Sequence, residues 1–275
     1  MLTTIAVVQF EIQQGMPEEN LAKAEQFMRE AASEADLIVF PEDFVTGPLN
    51  GDATLVDYDK RYTQHFQQLA RAYSIDIVPG SIIEGERSGT GLYNTTCYID
   101  KTGEVKGSYR KVNLWHPERD YLARGNEFPV FDTQYGRVGL IICWDLMFPE
   151  AFRAMLRRGV EIVICPSYWC FEDAGVGLAH DVNAEVKLVN ALCIARAFEN
   201  EIILVYANAA GGATVRQGEE QLIGRSQITV PFKGALHILQ HTHEEMFLQT
   251  VDTTLLKDAE LAYRIRKDMQ AGLLS

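Results

Sequence analysis

Three side chains that together could perform acyl transfer are spread along this 275-residue chain, each at the end of a strand-like segment. They are a thiol at Cys143, a carboxylate at Glu42 and an ammonium at Lys111. Taken singly, each has a simpler interpretation, because free cysteine is usually buried filler and a charged residue after a strand usually faces water. Taken together, they supply the nucleophile, base and cation that a thioester mechanism requires.

The chemistry expected of this set follows from the proton and charge movements of acyl transfer. A buried carboxylate at Glu42 can accept the thiol proton of Cys143, because burial raises a carboxylate pKa toward neutrality. Attack by the thiolate places negative charge on an oxygen or nitrogen, which the Lys111 ammonium can stabilise. The backbone N–H of Trp144, directly after the cysteine, is a second candidate donor.

The elements that must hold these side chains alternate between strand and helix patterns. TTIAVVQF and ADLIVFPE are predicted strands buried on both faces, and PEENLAKAEQFMREAASE between them carries an apolar helical face. The second half repeats this plan, with RVGLIIC as a strand and PEAFRAMLRRG as a helix. Catalytic groups of α/β sheets gather at the carboxyl ends of strands, so the three side chains are expected to converge.

The remaining segments complete the expected architecture. GLYNTTCYIDKTGEVKGSYRKV is predicted as a hairpin, EEMFLQTVD as an antiparallel strand and LLKDAELAYRIRKDM as one final helix. Two sheets with helices outside both are the natural layering of these elements. Because no linker of proline and serine interrupts the chain, a single domain over residues 1–275 is predicted.

Composition narrows the class of protein. The chain is 47% hydrophobic and 23% charged, which is typical of a globular protein, and its formal net charge of −13 argues against nucleic-acid binding. It begins without a basic segment of the signal-peptide type, and no apolar run approaches the ~18 residues of a membrane span. The five cysteines form no CxxC pair. A cytoplasmic protein with free thiols is therefore expected.

Three segments carry a resemblance to a known family. FPEDFVTGP, YRKVNLWHPERDYLARGN and GRVGLIICWDLMFPE resemble the signature blocks of the carbon–nitrogen hydrolases, or nitrilase superfamily, in their amidase-like branch. The resemblance extends from IAVVQF near the start to GRSQITVPFKG near the end. It implies an α/β fold of the four-layer α-β-β-α sandwich type with two central mixed sheets, which agrees with the layering above.

The resemblance also implies a role for each reactive residue. Glu42 would be the general base, Lys111 would stabilise the tetrahedral intermediate and Cys143 would be the nucleophile. A second family glutamate corresponds to Glu118, where it would orient the lysine or assist proton transfer; a solvated loop glutamate is the alternative. Family members often carry histidine where this chain has Asn113, and the sequence offers no physical account of that difference.

Two further groups of residues are candidates for binding. Trp144, Tyr168 and Trp169 could contact substrate, although aromatic residues after a strand, as in PSYWCFED, belong to the core equally often. His237, His241 and His243 would share one face of a strand and could suggest a metal. A polar strand face is the favoured interpretation, so neither a metal nor another cofactor is expected.

The function expected from these residues is hydrolysis of a non-peptide C–N bond in a small amide or N-carbamoyl amine, with release of ammonia or an amine. Trp144-Asp145 resembles amidases and carbamoyl-amine hydrolases more than nitrile-hydrolysing members, which commonly have Trp-Glu there. A nitrilase, an acyl transferase and a catalytically silent binding subunit remain alternatives. The expected partners are a small-molecule substrate and further copies of the chain, as a homodimer or larger, but neither nucleic acid nor membrane.

Overall fold

The strands of the protein form two mixed sheets. The computed structural model describes residues 1–49, 52–87, 89, 91–211 and 220–273. In chain order its strands are β1 Leu2–Gln9, β2 Leu37–Val39, β3 Asp76–Val78, β4 Ser81–Gly85, β5 Leu92–Ile99, β6 Val105–Arg110, β7 Val130–Thr133, β8 Gly136–Leu140, β9 Ile162–Ser167, β10 Ile203–Asn208, β11 Gln227–Val230, β12 Gly234–Ile238 and β13 Glu245–Asp252.

The helices lie between these strands and after them. They are α1 Pro17–Ala31, α2 Arg61–Tyr73, α3 Pro149–Arg157, α4 Ala184–Asn200, α5 Leu255–Tyr263 and α6 Ile265–Gln270. Short 3₁₀ helices follow several strands, and two of them, Pro117–Asp120 and Cys143–Met147, contain candidate site residues. Over the part of the chain that the structure describes, none of the helices is long and apolar enough to cross a membrane.

Each sheet has a parallel centre and antiparallel edges. The first sheet has the order β13-β1-β2-β3-β5-β4, with β6 beside β5, and the second has the order β12-β11-β10-β9-β8-β7. Strands β1 to β3 and strands β8 to β10 are parallel, because helices cross over between them, and the other pairs are antiparallel. The predicted hairpin is present as β5 and β6.

Alternation along β1 shows how the layers stack. Ile5 and Val7 belong to the core between the two sheets, in a buried cluster that also contains Ile164 of β9. Ala6 and Val8 face the other way and join α1 and α2 in a separate core. Since α3 and α4 cover the outer face of the second sheet in the same manner, the four-layer sandwich is confirmed.

The last part of the chain confirms one sequence prediction and corrects another. EEMFLQTVD forms the antiparallel strand β13, as predicted, and it returns to the first sheet, where it pairs with β1 over eight residues. The predicted final helix is two helices, broken at Arg264, which has a φ of +58°. Two contacts with distant parts of the chain stabilise the break. The buried carboxylate of Glu201 accepts the backbone N–H of Ile265, and the side chain of Arg266 donates to the backbone carbonyl oxygen of Val160. A local pattern cannot reveal such contacts.

Candidate active site

Glu42 lies just beyond the end of β2, in a tight connection between the two sheets. Its backbone N–H donates to the carbonyl oxygen of Ser167 on β9, at 3.3 Å. A glycine is needed beside this connection, because a Cβ atom at Gly80 would lie 1.8 Å from the carbonyl oxygen of Pro41. The Glu42 side chain is thereby fixed in the interior, at the boundary between the sheets.

Lys111 follows β6 directly, and its ammonium joins two buried carboxylates. Its side chain is 1% exposed, and Nζ lies 2.8 Å from Oε1 of Glu42 and 2.8 Å from the Glu118 carboxylate. Burial by itself would lower the lysine pKa, but the charges of Glu42 and Glu118 outweigh it and hold that pKa well above its ordinary value. The ammonium is therefore protonated, and its charge is shared between two acids.

Asn94 supports this charged cluster from outside the cavity, although no sequence motif predicted it. It is a buried residue of β5, the strand next to β6, and its Nδ2 donates to Oε1 of Glu42 at 2.8 Å and to Oε1 of Glu118 at 3.1 Å. Glu118 also accepts the backbone N–H of Trp115 at 2.6 Å. An asparagine inside an apolar strand pattern was the signal available, but it does not reveal which neighbour the amide contacts.

Cys143 lies three residues beyond β8, at the start of a 3₁₀ helix, and not at the end of the strand itself. Its φ is +45°, an unusual backbone conformation for a residue with a side chain. The side chain is 7% exposed, and Sγ donates to the carbonyl oxygen of Tyr168 at 3.8 Å. Burial first and the Glu42 charge second raise the pKa of this thiol well above its ordinary value, against the opposing effect of Lys111. The resting cysteine is thus a neutral thiol.

The turn that contains Cys143 is stabilised by hydrogen bonds to a buried carboxylate, Asp145. Its Oδ2 accepts the backbone N–H of Ile142 at 3.0 Å and the hydroxyl of Tyr109 at 2.7 Å. Its Oδ1 accepts both the backbone N–H of Asn113, at 3.0 Å, and the Asn113 amide, at 2.9 Å. These contacts give Asn113 a physical role: it ties the segment after Lys111 to the turn that carries the thiol.

A cavity of about 130 Å³ opens over these groups. The charged cluster and the thiol occupy its floor, and aromatic side chains form much of its wall. The lining residues are Glu42, Asp43, Pro48, Lys111, Trp115, Pro117, Glu118, Tyr121, Cys143, Trp144, Tyr168, Trp169, Cys170, Asp173 and Glu220. All seven residues predicted from the sequence for the site therefore lie around one cavity.

The three aromatic candidates differ in their surroundings. Trp144 packs against Trp115 with ring centroids 4.4 Å apart and forms part of the wall. Tyr168 is half-buried, and its backbone N–H donates to Oε2 of Glu42 at 2.9 Å. Trp169 is 1% exposed and its indole N–H donates to Glu185 at 2.6 Å, so most of its surface belongs to the core.

The predicted shared strand face of the three histidines is wrong. His237 lies on β12 and stacks on Phe247, with ring centroids 4.0 Å apart. His241 and His243 lie in the turn between β12 and β13, where their rings stack at 3.4 Å. Together with Glu245 they offer ligand atoms within 4.8 Å of one another, so these three could hold a metal ion; they are not among the residues that line the cavity described above.

An α-β-β-α sandwich that brings a thiol, an ammonium and two carboxylates to one cavity is the arrangement of an acyl-transferring hydrolase. The family model for carbon–nitrogen hydrolases matches residues 4–259. The chain is 31% identical to 2-oxoglutaramate amidase of Bacillus subtilis, over 84% of each protein. It is 30% identical to a probable nitrilase of Schizosaccharomyces pombe, over 92% of this chain and 89% of that relative.

A solved structure gives the same picture. An amidase from Nesterenkonia sp. superposes with a TM-score of 0.79 and 25% identity, covering 99% of this chain and 96% of the amidase. The chain belongs to the carbon–nitrogen hydrolase family, as the three sequence blocks predicted. It is an enzyme of that class, a cysteine-dependent hydrolase of C–N bonds other than peptide bonds.

Proposed function

We propose that this enzyme hydrolyses a small carboxamide or N-carbamoyl amine through a thioester on Cys143. The observation that carries the proposal is the position of Lys111, whose ammonium bridges Glu42 and Glu118 on the floor of the cavity that also contains the thiol. Base, cation and nucleophile then lie within reach of a single bound carbonyl group.

Glu42 is assigned as the general base. Burial raises its pKa, while the Lys111 ammonium lowers it again, so the carboxylate is a better base than a solvated glutamate. The thiol of Cys143 is neutral at rest and needs such a base. Proton transfer to Glu42 accompanies attack of sulfur on the carbonyl carbon, and a C–S bond forms while the carbonyl π electrons move to oxygen.

Lys111 is assigned to the developing oxyanion. Its ammonium is fixed before the reaction by two carboxylates, so it needs no reorganisation when negative charge appears on the oxygen. The backbone N–H of Trp144, the first peptide after the thiol, is the proposed second donor. Glu118 holds the ammonium in place from the opposite side and is a candidate for proton transfer.

The second half of the reaction reverses these movements. The C–N bond breaks as the leaving nitrogen takes the proton from Glu42, which frees ammonia or an amine. A water molecule then gives a proton to Glu42 and attacks the thioester carbon. The C–S bond breaks as this second tetrahedral intermediate collapses to the acid, and Glu42 returns the proton to sulfur, which regenerates the thiol. No redox step occurs, and atoms and charge balance over one turnover.

An amide is favoured over a nitrile as the substrate. Expulsion of an amine needs a proton at the leaving nitrogen, and two glutamates near one thiol can supply protons at separate positions. We expect kcat/KM for an amide to exceed that for the nitrile with the same side chain by about tenfold or more, which corresponds to ~1.4 kcal/mol of transition-state stabilisation.

Paired kinetics on such an amide and nitrile test the substrate class, after a panel of small amides, N-carbamoyl amines and nitriles has been screened by ammonia release. Cys143→Ala is the control for background hydrolysis. Faster turnover of the nitrile, with the acid as main product, would favour a nitrilase. Transfer of the acyl group to an added amine in preference to water would favour an acyl transferase.

We also propose a cytoplasmic homodimer or larger assembly. The supporting observation is an exposed apolar pair formed by Phe232 and Tyr263, whose ring centroids lie 5.2 Å apart. Exposed apolar patches are one of the features that mark protein–protein contact sites. Sedimentation velocity on the purified chain tests the assembly, and a monomer at micromolar concentration would contradict it.

A further inference from the structure

Asn94 is a buried polar residue that the mechanism above does not use. Its side chain is 0% exposed, and its backbone carbonyl oxygen accepts the backbone N–H of Lys111 at 2.8 Å. Asn94 is not among the residues that line the cavity, although it contacts two that are. An influence of Asn94 on the reaction therefore has to act through those neighbours.

The amide nitrogen of Asn94 and the ammonium of Lys111 share the same two acceptors. Nδ2 of Asn94 lies 2.8 Å from Oε1 of Glu42 and 3.1 Å from Oε1 of Glu118, and Nζ of Lys111 lies 2.8 Å from each of these oxygens. The opposite amide orientation would place Oδ1 against two carboxylate oxygens, which would repel it. The surroundings thus fix the nitrogen as the group that faces the acids.

The second oxygen of Glu42 contacts the same residue as the thiol does. Oε2 accepts the backbone N–H of Tyr168 at 2.9 Å, and the carbonyl oxygen of the same residue accepts the Cys143 thiol at 3.8 Å. Because Asn94 and Lys111 hold Oε1, the carboxylate cannot rotate without losing hydrogen bonds. Oε2 is therefore kept against the backbone of Tyr168, the residue that the thiol also contacts.

We propose that Asn94 is a positioning residue, which fixes both carboxylates around Lys111 and directs Oε2 of Glu42 toward Cys143. This inference rests on the proposed function, in which Glu42 is the base. A neutral amide suits the task, because it donates two hydrogen bonds without taking up or releasing a proton near pH 7. A lysine or an acid at this position would change the charge that the base experiences.

The pKa of Glu42 depends on the hydrogen bond that Asn94 donates to it. Burial raises the Glu42 pKa, the Lys111 ammonium lowers it and the Glu118 charge raises it. The other titratable groups that interact with the Glu42 charge are three acids or phenols and three thiols: Asp43, Tyr121, Asp173, Cys143, Cys165 and Cys170. With these groups unchanged, loss of the Asn94 donor removes a hydrogen bond from the ionised carboxylate and raises its pKa further.

The experiment compares Asn94→Val and Asn94→Ala with a matched control, Thr96→Val. Thr96 lies two residues along β5 and is also buried, and its Oγ1 has no hydrogen-bond partner among the described residues. Two quantities are measured against pH: the rate at which iodoacetamide alkylates Cys143, followed by peptide mass spectrometry, and kcat/KM for an amide. Thermal unfolding verifies that each variant is folded.

In both Asn94 variants, the acid limb of the plot of alkylation rate against pH should shift to higher pH by about one unit, because the pKa of Glu42 rises. They should also lower kcat by about tenfold and change KM by less than about twofold, because substrate does not contact Asn94. Thr96→Val should match the wild type. Folded variants with an unshifted limb would overturn the proposal, and so would loss of folding in both. A shifted alkylation limb in a protein that hydrolyses no amide would support the role of Asn94 and reject the proposed function.

Discussion

The two sheets contribute to the site in different ways. The first sheet supplies ionisable and amide side chains, Glu42, Asn94 and Lys111, which hold one another by charge and hydrogen bonds. The second sheet supplies a backbone turn, in which Cys143 adopts a positive φ above the buried Asp145. One half of the site is therefore fixed by electrostatics and the other half by chain geometry.

The two halves of the site are therefore sensitive to different substitutions. A buried ion cluster loses stability when one member is removed, because the remaining charges stay buried without compensation. A strained turn tolerates side-chain truncation but depends on the groups that hold its backbone. Substitutions in the first sheet should accordingly alter stability and rate together, whereas those at the thiol should alter rate alone.

The largest effect is expected for Cys143→Ala. Removal of the proposed nucleophile should lower turnover by about 10⁴-fold or more, and the melting temperature should change little, because alanine fits the turn. Cys143→Ser should not restore activity, since a hydroxyl is much harder to deprotonate. The matched control is Cys97→Ala, a buried cysteine in the core under α1 and α2. Activity well above background in Cys143→Ala would show that the second sheet does not supply the nucleophile.

Substitutions in the charged cluster come next. Lys111→Met and Glu42→Gln should each lower kcat by about 10²–10³-fold. Lys111→Met should also cost about 3–5 kcal/mol of stability, because it leaves two buried carboxylates unpaired, whereas Glu42→Gln should cost less. Adding Glu118→Gln to Lys111→Met should recover part of the stability but none of the activity. Chemical denaturation and steady-state kinetics measure both quantities, and wild-type kinetics in a folded variant would contradict the mechanism.

A smaller effect is expected for substitutions of Asp145 and Asn113, which stabilise the Cys143 turn. Asp145→Asn replaces an acceptor of four hydrogen bonds and should lower kcat by about tenfold and stability by about 1–3 kcal/mol. Asn113→Ala removes only one of those donors and should cost about 1 kcal/mol, with a rate loss of a few fold. If Asn113→Ala proved as harmful as Asp145→Asn, the turn would depend on the segment after Lys111 and the two halves would not be separable.

The smallest effect is expected outside both halves, at the turn that holds His241 and His243. Exhaustive dialysis against a chelator and the double substitution of both histidines by alanine should leave kcat/KM within about twofold of the wild type, because neither residue lines the cavity. Metal content is measured in parallel by plasma mass spectrometry. A chelator-sensitive activity that thiol alkylation does not abolish would overturn the cysteine mechanism.

Much of this architecture could be predicted from local patterns. Apolar runs of strand length and amphipathic helices gave the alternation in each half, and the reactive residue types indicated the chemistry of the site. The contacts between distant elements could not be predicted in the same way. Strand β13 crosses to the first sheet, and the break at Arg264 depends on a buried glutamate 63 residues earlier in the chain.

The supporting residues of the site show the same limit. Asn94 lies beside Lys111 because β5 and β6 are neighbours, but sequence alone does not say that its amide faces two acids. Asp145 was noted only as the residue after Trp144, and its four donors come from β6, the segment after it and the turn itself. Such polar contacts are specified by tertiary packing, so no periodicity reveals them.

The backbone of Tyr168 has a consequence for how this enzyme can diversify. Its N–H contacts the Glu42 carboxylate and its carbonyl oxygen contacts the Cys143 thiol, while its side chain lines the cavity. Main-chain atoms are common to all residue types except proline at the N–H, so the link between base and thiol survives a change of side chain at this position. Substitution of Tyr168 can therefore reshape the space offered to a substrate without moving the groups that react with it, which makes it the position of choice for a library that seeks new acyl groups.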